Sequence, residues 1–172
     1  MSGSESILVL LITGLLLAVV IDLREHRIPN WLVSCLVVGG IALQFWFYQW
    51  HGLLTAFLGL TVGLFCFLPF HVFGALGAGD VKLLAAVGAL IGPNLVFLAA
   101  MLTILCGGVI AIAYITFKGG LPKMLSRYGS MLFFLVVRQP QYIPPAPGEA
   151  AGLRFPYAIA IAVGTTLAVI VF

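Results

Sequence analysis

Gly77-Ala78-Gly79-Asp80-Val81-Lys82-Leu83-Leu84-Ala85-Ala86-Val87-Gly88-Ala89-Leu90-Ile91-Gly92-Pro93-Asn94 passes from a glycine loop, through one carboxylate, into an apolar run that ends at proline. From Val81 to Phe117 the chain is overwhelmingly apolar except at Lys82 and around Gly92-Pro93-Asn94, where proline and asparagine suit a hairpin. That length is too great for one membrane helix and too small for three, at roughly 20 residues per crossing of a hydrocarbon core about 30 Å thick. It reads as two helical arms, about 80–92 and 94–117. The first arm is shorter than a comfortable span, which places Asp80 below the membrane surface in a thinned or wet region.

Composition points to the same solvent. Of 172 residues, 63% are hydrophobic and 8% charged, and the mean hydropathy is +1.22. A soluble domain of this size could not hide so much apolar surface. Barrel strands would alternate polar with apolar residues, whereas these segments are apolar on all faces and rich in Leu, Val, Ala and Gly. The expected fold is all-α: a polytopic membrane protein in one domain over residues 1–172. Its six transmembrane helices are expected at about 7–22, 31–48, 53–70, 80–92, 94–117 and 154–172.

The first apolar run follows a tail without Lys or Arg and precedes Arg24 and Arg27, the reverse of a secretory signal, so it is expected to be retained. The second and third spans are separated by the uncharged turn Gln49-Trp50-His51-Gly52. Trp46, Phe47, Tyr48 and Trp50 crowd that turn as interfacial anchors. Pro29-Asn30 before Trp31 starts the second helix. Between Lys118 and Arg154 lies a long connection with a proline-rich run from Pro140 to Pro147. Within it, residues 121–137 read as a cytoplasmic interfacial segment or, alternatively, a re-entrant one.

Charge orients this arrangement. In a six-span order, all eight Lys and Arg, namely Arg24, Arg27, Lys82, Lys118, Lys123, Arg127, Arg138 and Arg154, fall on one side, which the positive-inside rule makes cytoplasmic. A five-span order would split them. Both termini are then outside, and Asp22 and Asp80 share the cytoplasmic side.

Ionisable groups are costly to place near lipid, so these two aspartates are the functional candidates. Of the five acidic residues, Glu5 and Glu149 sit in tails or loops, and Glu25 lies in a basic turn. Gly14, Ala18 and Asp22 recur every four residues, a small-residue stripe another helix can approach. Asp80 shares a face with Leu84 and Val87, while Lys82 points about 200° around the axis and is not expected to neutralise it. Gly77 and Gly79, flanking Ala78, permit unusual backbone angles and close approach of a substrate strand. Two carboxylates held together share a proton: the ionised one draws a proton from water and the protonated one hydrogen-bonds a carbonyl. Neither metal nor cofactor is needed, and the scattered Cys35, Cys66, Cys106, His26, His51 and His71 show no ligand spacing.

Plainer readings compete. Asp80 is equally suited to cap the helix that follows it, and Asp22 to pair at the interface with Arg24, Arg27 or Lys82. A small transporter or proton relay would use the same carboxylates, and a non-catalytic assembly subunit would not need them. Gly88 and Gly92 read as helix-packing positions.

Three blocks, Asp22-Leu23-Arg24 with Ile28-Pro29-Asn30, then Gly77-Ala78-Gly79-Asp80-Val81-Lys82-Leu83, then Arg154-Phe155-Pro156-Tyr157-Ala158-Ile159-Ala160, together resemble the type IV prepilin peptidases. The likeness runs over nearly the whole chain and is greatest to the small Tad-type enzymes that process Flp pilins. The Gly-x-Gly-Asp block alone would also fit presenilin-like proteases.

The resemblance implies an aspartic endopeptidase of the bacterial inner membrane in which Asp22 and Asp80 are catalytic and Gly77, Ala78 and Gly79 form a loop beside the substrate. It further implies a prepilin substrate, with a basic leader and a single apolar helix, cut after a glycine on the cytoplasmic side. Larger relatives carry an N-terminal Cys-x-x-Cys region and methylate the new pilin end. This sequence has no such pairs, so methyltransferase activity and S-adenosylmethionine are not expected, nor is a nucleic-acid partner.

Overall fold

The computed structural model describes residues 3–72, 76–117 and 157–171. Four helical elements make up this part: α1 (Gly3–Glu25), α2 (Asn30–Val72), α3 (Ala78–Phe117) and α4 (Ala158–Val171). One compact unit comprises Met1–Gly107 with Pro156–Phe172; a second runs from Gly108 to Phe155, and its described part, 108–117, is helical. The segment expected over 121–137, the proline-rich run and the start of the last span at residue 154 lie outside the described residues.

Among the described residues three helices are long and apolar enough to cross a membrane: α1, α2, and α3 as far as Ala113, with α4 a shorter apolar helix. Two of the three are broken once. A straight helix of 43 residues would run about 65 Å, roughly twice a hydrocarbon core. In α2 the break falls at Gln49 (φ 54°, ψ −137°), the conformation of the first corner of a type II′ turn. The turn expected over Gln49-Trp50-His51-Gly52 is thus confined to its first residue, and Trp50 to Gly52 are already helical. Buried Gly52 allows this tightness, because a Cβ there would strike the Gln44 carbonyl across the hairpin.

In α3 the break is Gly92 (φ 81°, ψ 175°), a backbone state open to glycine, and Pro93 opens the second arm. Gly92 is therefore the break itself as well as a packing position: a Cβ there would meet Thr55, and its carbonyl carbon would lie 2.9 Å from a Cβ placed at Gly59. Proline has no N–H to offer the carbonyl four residues back. At this end of the first arm the Gln44 side chain donates from Nε2 to the Leu90 carbonyl at 2.7 Å, within the buried interior.

Glycine sets the closest approaches. Gly59 of α2 and Gly88 of α3 face each other so tightly that a Cβ on either would strike the other's carbonyl, and Gly63 lies against the Leu84 backbone. The first arm of α3 is consequently the most enclosed piece of the fold, with Leu83, Leu84, Ala86 and Ala89 fully buried. Outward faces are apolar instead: Leu16 is 61% exposed, Val38 67% and Phe65 61%. Exposed hydroxyls on those faces fold back on their own helices, Thr13 to Val9 O, Thr55 to His51 O and Thr61 to Phe57 O. Such self-satisfaction is what a solvent without hydrogen bonds demands.

Candidate active site

Asp22 sits in the last turn of α1, on the face it shares with Gly14 and Ala18. All three are buried, and Gly14 admits Leu36 of α2. The helix ends three residues later. His26 takes a left-handed conformation (φ 50°), common at helix C-termini and tolerated by histidine better than by most side chains. Its N–H donates to the Asp22 carbonyl at 2.9 Å. Asn30 then begins α2, after Pro29, whose carbonyl accepts from Val33 N at 3.4 Å.

Asp80 lies in the first turn of α3. Its Oδ2 accepts from Gly77 N at 3.1 Å, while the Gly77 carbonyl accepts from Asp80 N at 3.1 Å and Val81 N at 3.4 Å. This is the returning arm of a capping box, with the third helical residue satisfying the backbone amide of the cap. The capping reading of Asp80 is therefore realised, but through one carboxylate oxygen and a single local amide.

The alternative reading of Asp22, an ion pair at the surface, is not seen among the described residues. Asp22 is only 6% exposed, and its Oδ2 accepts from Ala158 N, the first residue of α4, at 3.2 Å. Among the described residues neither aspartate is ion-paired. Lys82 is exposed and donates from Nζ to Asn30 Oδ1 at 3.0 Å, turned toward the start of α2 as the helix angle requires.

Three elements thus converge on the carboxylates. The Lys82 bond to Asn30 ties the first turn of α3 to the start of α2, just beyond the end of α1 that carries Asp22. Gly79 packs on Ile28, whose Cβ would lie 3.1 Å from a side chain placed there, joining the α1–α2 connection to the cap of α3. Gly77 and Ala78 are exposed, leaving the approach to Asp80 open on that side. Ahead of Gly77, His71 Nδ1 lies 3.0 Å from the Leu76 carbonyl, and Leu76 N donates to Phe70 O at 3.3 Å. No three metal-ligating side chains come together among the described residues. A pair of carboxylates of unequal surroundings can, when brought together, hold one proton between them and polarise a water.

A profile of the type IV leader peptidase family matches residues 9–112, more than half of the chain. The chain belongs to the type IV leader peptidase family. No curated protein and no solved structure matches it. This leader peptidase is a hydrolase with apolar helices suited to a membrane. The match takes in Asp22, Gly77, Ala78, Gly79 and Asp80 but stops before the Arg154 to Ala160 block, so the contact of α4 with Asp22 rests on the structure alone. Sequence reasoning does not find that contact in the peptidase, nor Gln44; the available signal for the first is Pro156-Tyr157 ahead of an apolar run, a helix-start pattern.

Proposed function

We propose that this leader peptidase is an intramembrane aspartic endopeptidase that removes the leader of type IV prepilins of the Flp class at the cytoplasmic face of the bacterial inner membrane. In this reading the arms of α2 and α3 each cross the bilayer, and with α1 and α4 they make six spans with both termini outside. What supports the chemistry is that the helix ends carrying Asp22 and Asp80, far apart in the chain, are drawn together where Gly79 packs on Ile28 and Lys82 bonds Asn30.

The ionised carboxylate takes a proton from water as the oxygen attacks the scissile carbonyl. The protonated one hydrogen-bonds, and then transfers its proton to, the developing oxyanion. Collapse returns the carbonyl, breaks the C–N bond and delivers a proton to the leaving amine, leaving one proton on the pair. A substrate with a short basic leader and an apolar helix would lay its helix along the spans and keep the leader in the cytosol. The enzyme's basic loops do not attract such a leader, so recognition falls to helix packing and to backbone contacts at the exposed start of α3.

Co-expression of a candidate prepilin with wild type, Asp22→Asn and Asp80→Asn, followed by gel mobility, tests this reading. Each asparagine variant is expected to lose about 10³-fold in processing rate at unchanged membrane level. Processing that persists near wild-type rate in either variant overturns the dyad.

A further inference from the structure

Asp22 is held by a backbone amide of a helix that lies 136 residues away in the chain, so something must fix where that helix begins. Tyr157 is the residue placed to do so. Its carbonyl accepts from Ile161 N at 3.1 Å, which makes it the cap of α4 and leaves the next amide, Ala158 N, free for the Asp22 carboxylate. Its ring meets Phe67 of α2 edge-on, at 6.0 Å between centroids and 68° between planes, and Phe67 is fully buried and braced in turn by Phe70. On the other side stands Gly107 of α3, where a Cβ would fall 2.6 Å from the phenol oxygen and 2.8 Å from the ring. The aromatic body is thus wedged between two helices, while its hydroxyl makes no hydrogen bond among the described residues.

We propose that Tyr157 is a positioning residue: its ring, clamped between Phe67 and Gly107, sets the start of α4 so that the Ala158 amide holds the Asp22 carboxylate toward Asp80. The proposal rests on the dyad reading for its effect on catalysis, but not for its effect on Asp22 itself. The ring does this work and the hydroxyl does not, so Phe replaces Tyr and Ala does not.

The test uses the full chain in membranes with Tyr157→Ala, Tyr157→Phe and Gly107→Ala beside Asp22→Asn and Asp80→Asn. Two quantities are measured: kcat and KM for leader removal, and the rate at which a hydrophobic carbodiimide labels Asp22, read by peptide mass spectrometry. Tyr157→Ala is expected to lower kcat by about 10- to 100-fold with KM nearly unchanged, the range of a misplaced catalytic group. It is also expected to speed labelling of Asp22 severalfold over wild type, because a carboxyl no longer held swings out of its packed position. Tyr157→Phe should restore both values, and Gly107→Ala should move them in the direction of Tyr157→Ala.

Asp22 labelling unchanged in Tyr157→Ala overturns the proposal, as does a Phe variant as impaired as the Ala one, which would put the function in the hydroxyl. Processing retained by the aspartate variants sinks the dyad reading instead, and the labelling result then still decides whether Tyr157 holds Asp22 in place.

Discussion

The two candidate aspartates are held in opposite ways. Asp80 binds an amide three residues before it, in the loop that starts its own helix, whereas Asp22 binds an amide 136 residues after it, at the start of a different helix. Gly77, the donor to Asp80, is exposed; Ala158, the donor to Asp22, is fully buried. A locally capped carboxylate keeps its place if the surrounding helices shift, and it can exchange its amide for water or substrate. A carboxylate held at long range keeps its place only while α1 and α4 stay packed. The pair therefore joins one partner fixed by local chain geometry to one fixed by tertiary structure, and their meeting depends on the helix that carries Asp80 being pressed into the bundle.

The largest expected effect comes from breaking that packing. Gly88→Val drives a branched side chain into the Gly59 carbonyl, and backbone cannot yield as a flexible side chain would. A loss of about 3 kcal/mol or more in stability is expected, at the upper end of overpacking costs, and thermal unfolding in detergent measures it. The local Asp80 cap does not involve Gly88, so protein that still folds should retain the cap while losing the register between α2 and α3. A wild-type unfolding temperature would mean that the glycine contact does not set the position of Asp80.

Intermediate effects separate the two aspartates directly. Asp22→Ala leaves the Ala158 amide buried without an acceptor, which costs about 2 kcal/mol. Asp80→Ala exposes Gly77 N to water and removes only a cap, a cost of about 1 kcal/mol or less. Unfolding of the two alanine variants should therefore rank Asp22→Ala as the more damaging, and the asparagine variants should recover much of the stability in both cases, since an amide oxygen still accepts. Equal losses, or the reverse order, would erase the contrast between long-range and local holding.

The same contrast separates the features that are legible in the sequence from those that are not. Asp80 as a helix cap, the break at Gly92-Pro93 and the outward direction of Lys82 all follow from residues within one turn of each other, where helix geometry and proline chemistry decide the outcome. Gly14, Ala18 and Asp22 announce a face that another helix approaches, but not which helix: Leu36 of α2 fills it at Gly14, and α4 reaches it at Asp22. The break at Gln49 can be narrowed only to a four-residue turn, because a non-glycine residue at positive φ gives no sign of itself in sequence. Gln44 gives none either. Its partner, the Leu90 carbonyl, lies 46 residues away, two residues before the break at Gly92.

The smallest expected effect tests whether Asp80 is independent of the charge on Lys82. Lys82 is two residues from Asp80 yet bonds Asn30, and both members of that contact are exposed. An exposed contact of this kind contributes about 0.5 kcal/mol or less. Lys82→Gln keeps a donor able to reach Asn30 and removes the positive charge. If the charge plays no part in setting the protonation of the pair, processing rate and its pH dependence should both match wild type. A displaced pH profile would show that Lys82 acts on Asp80 through space despite pointing away, and the local carboxylate would then be governed by more than its cap.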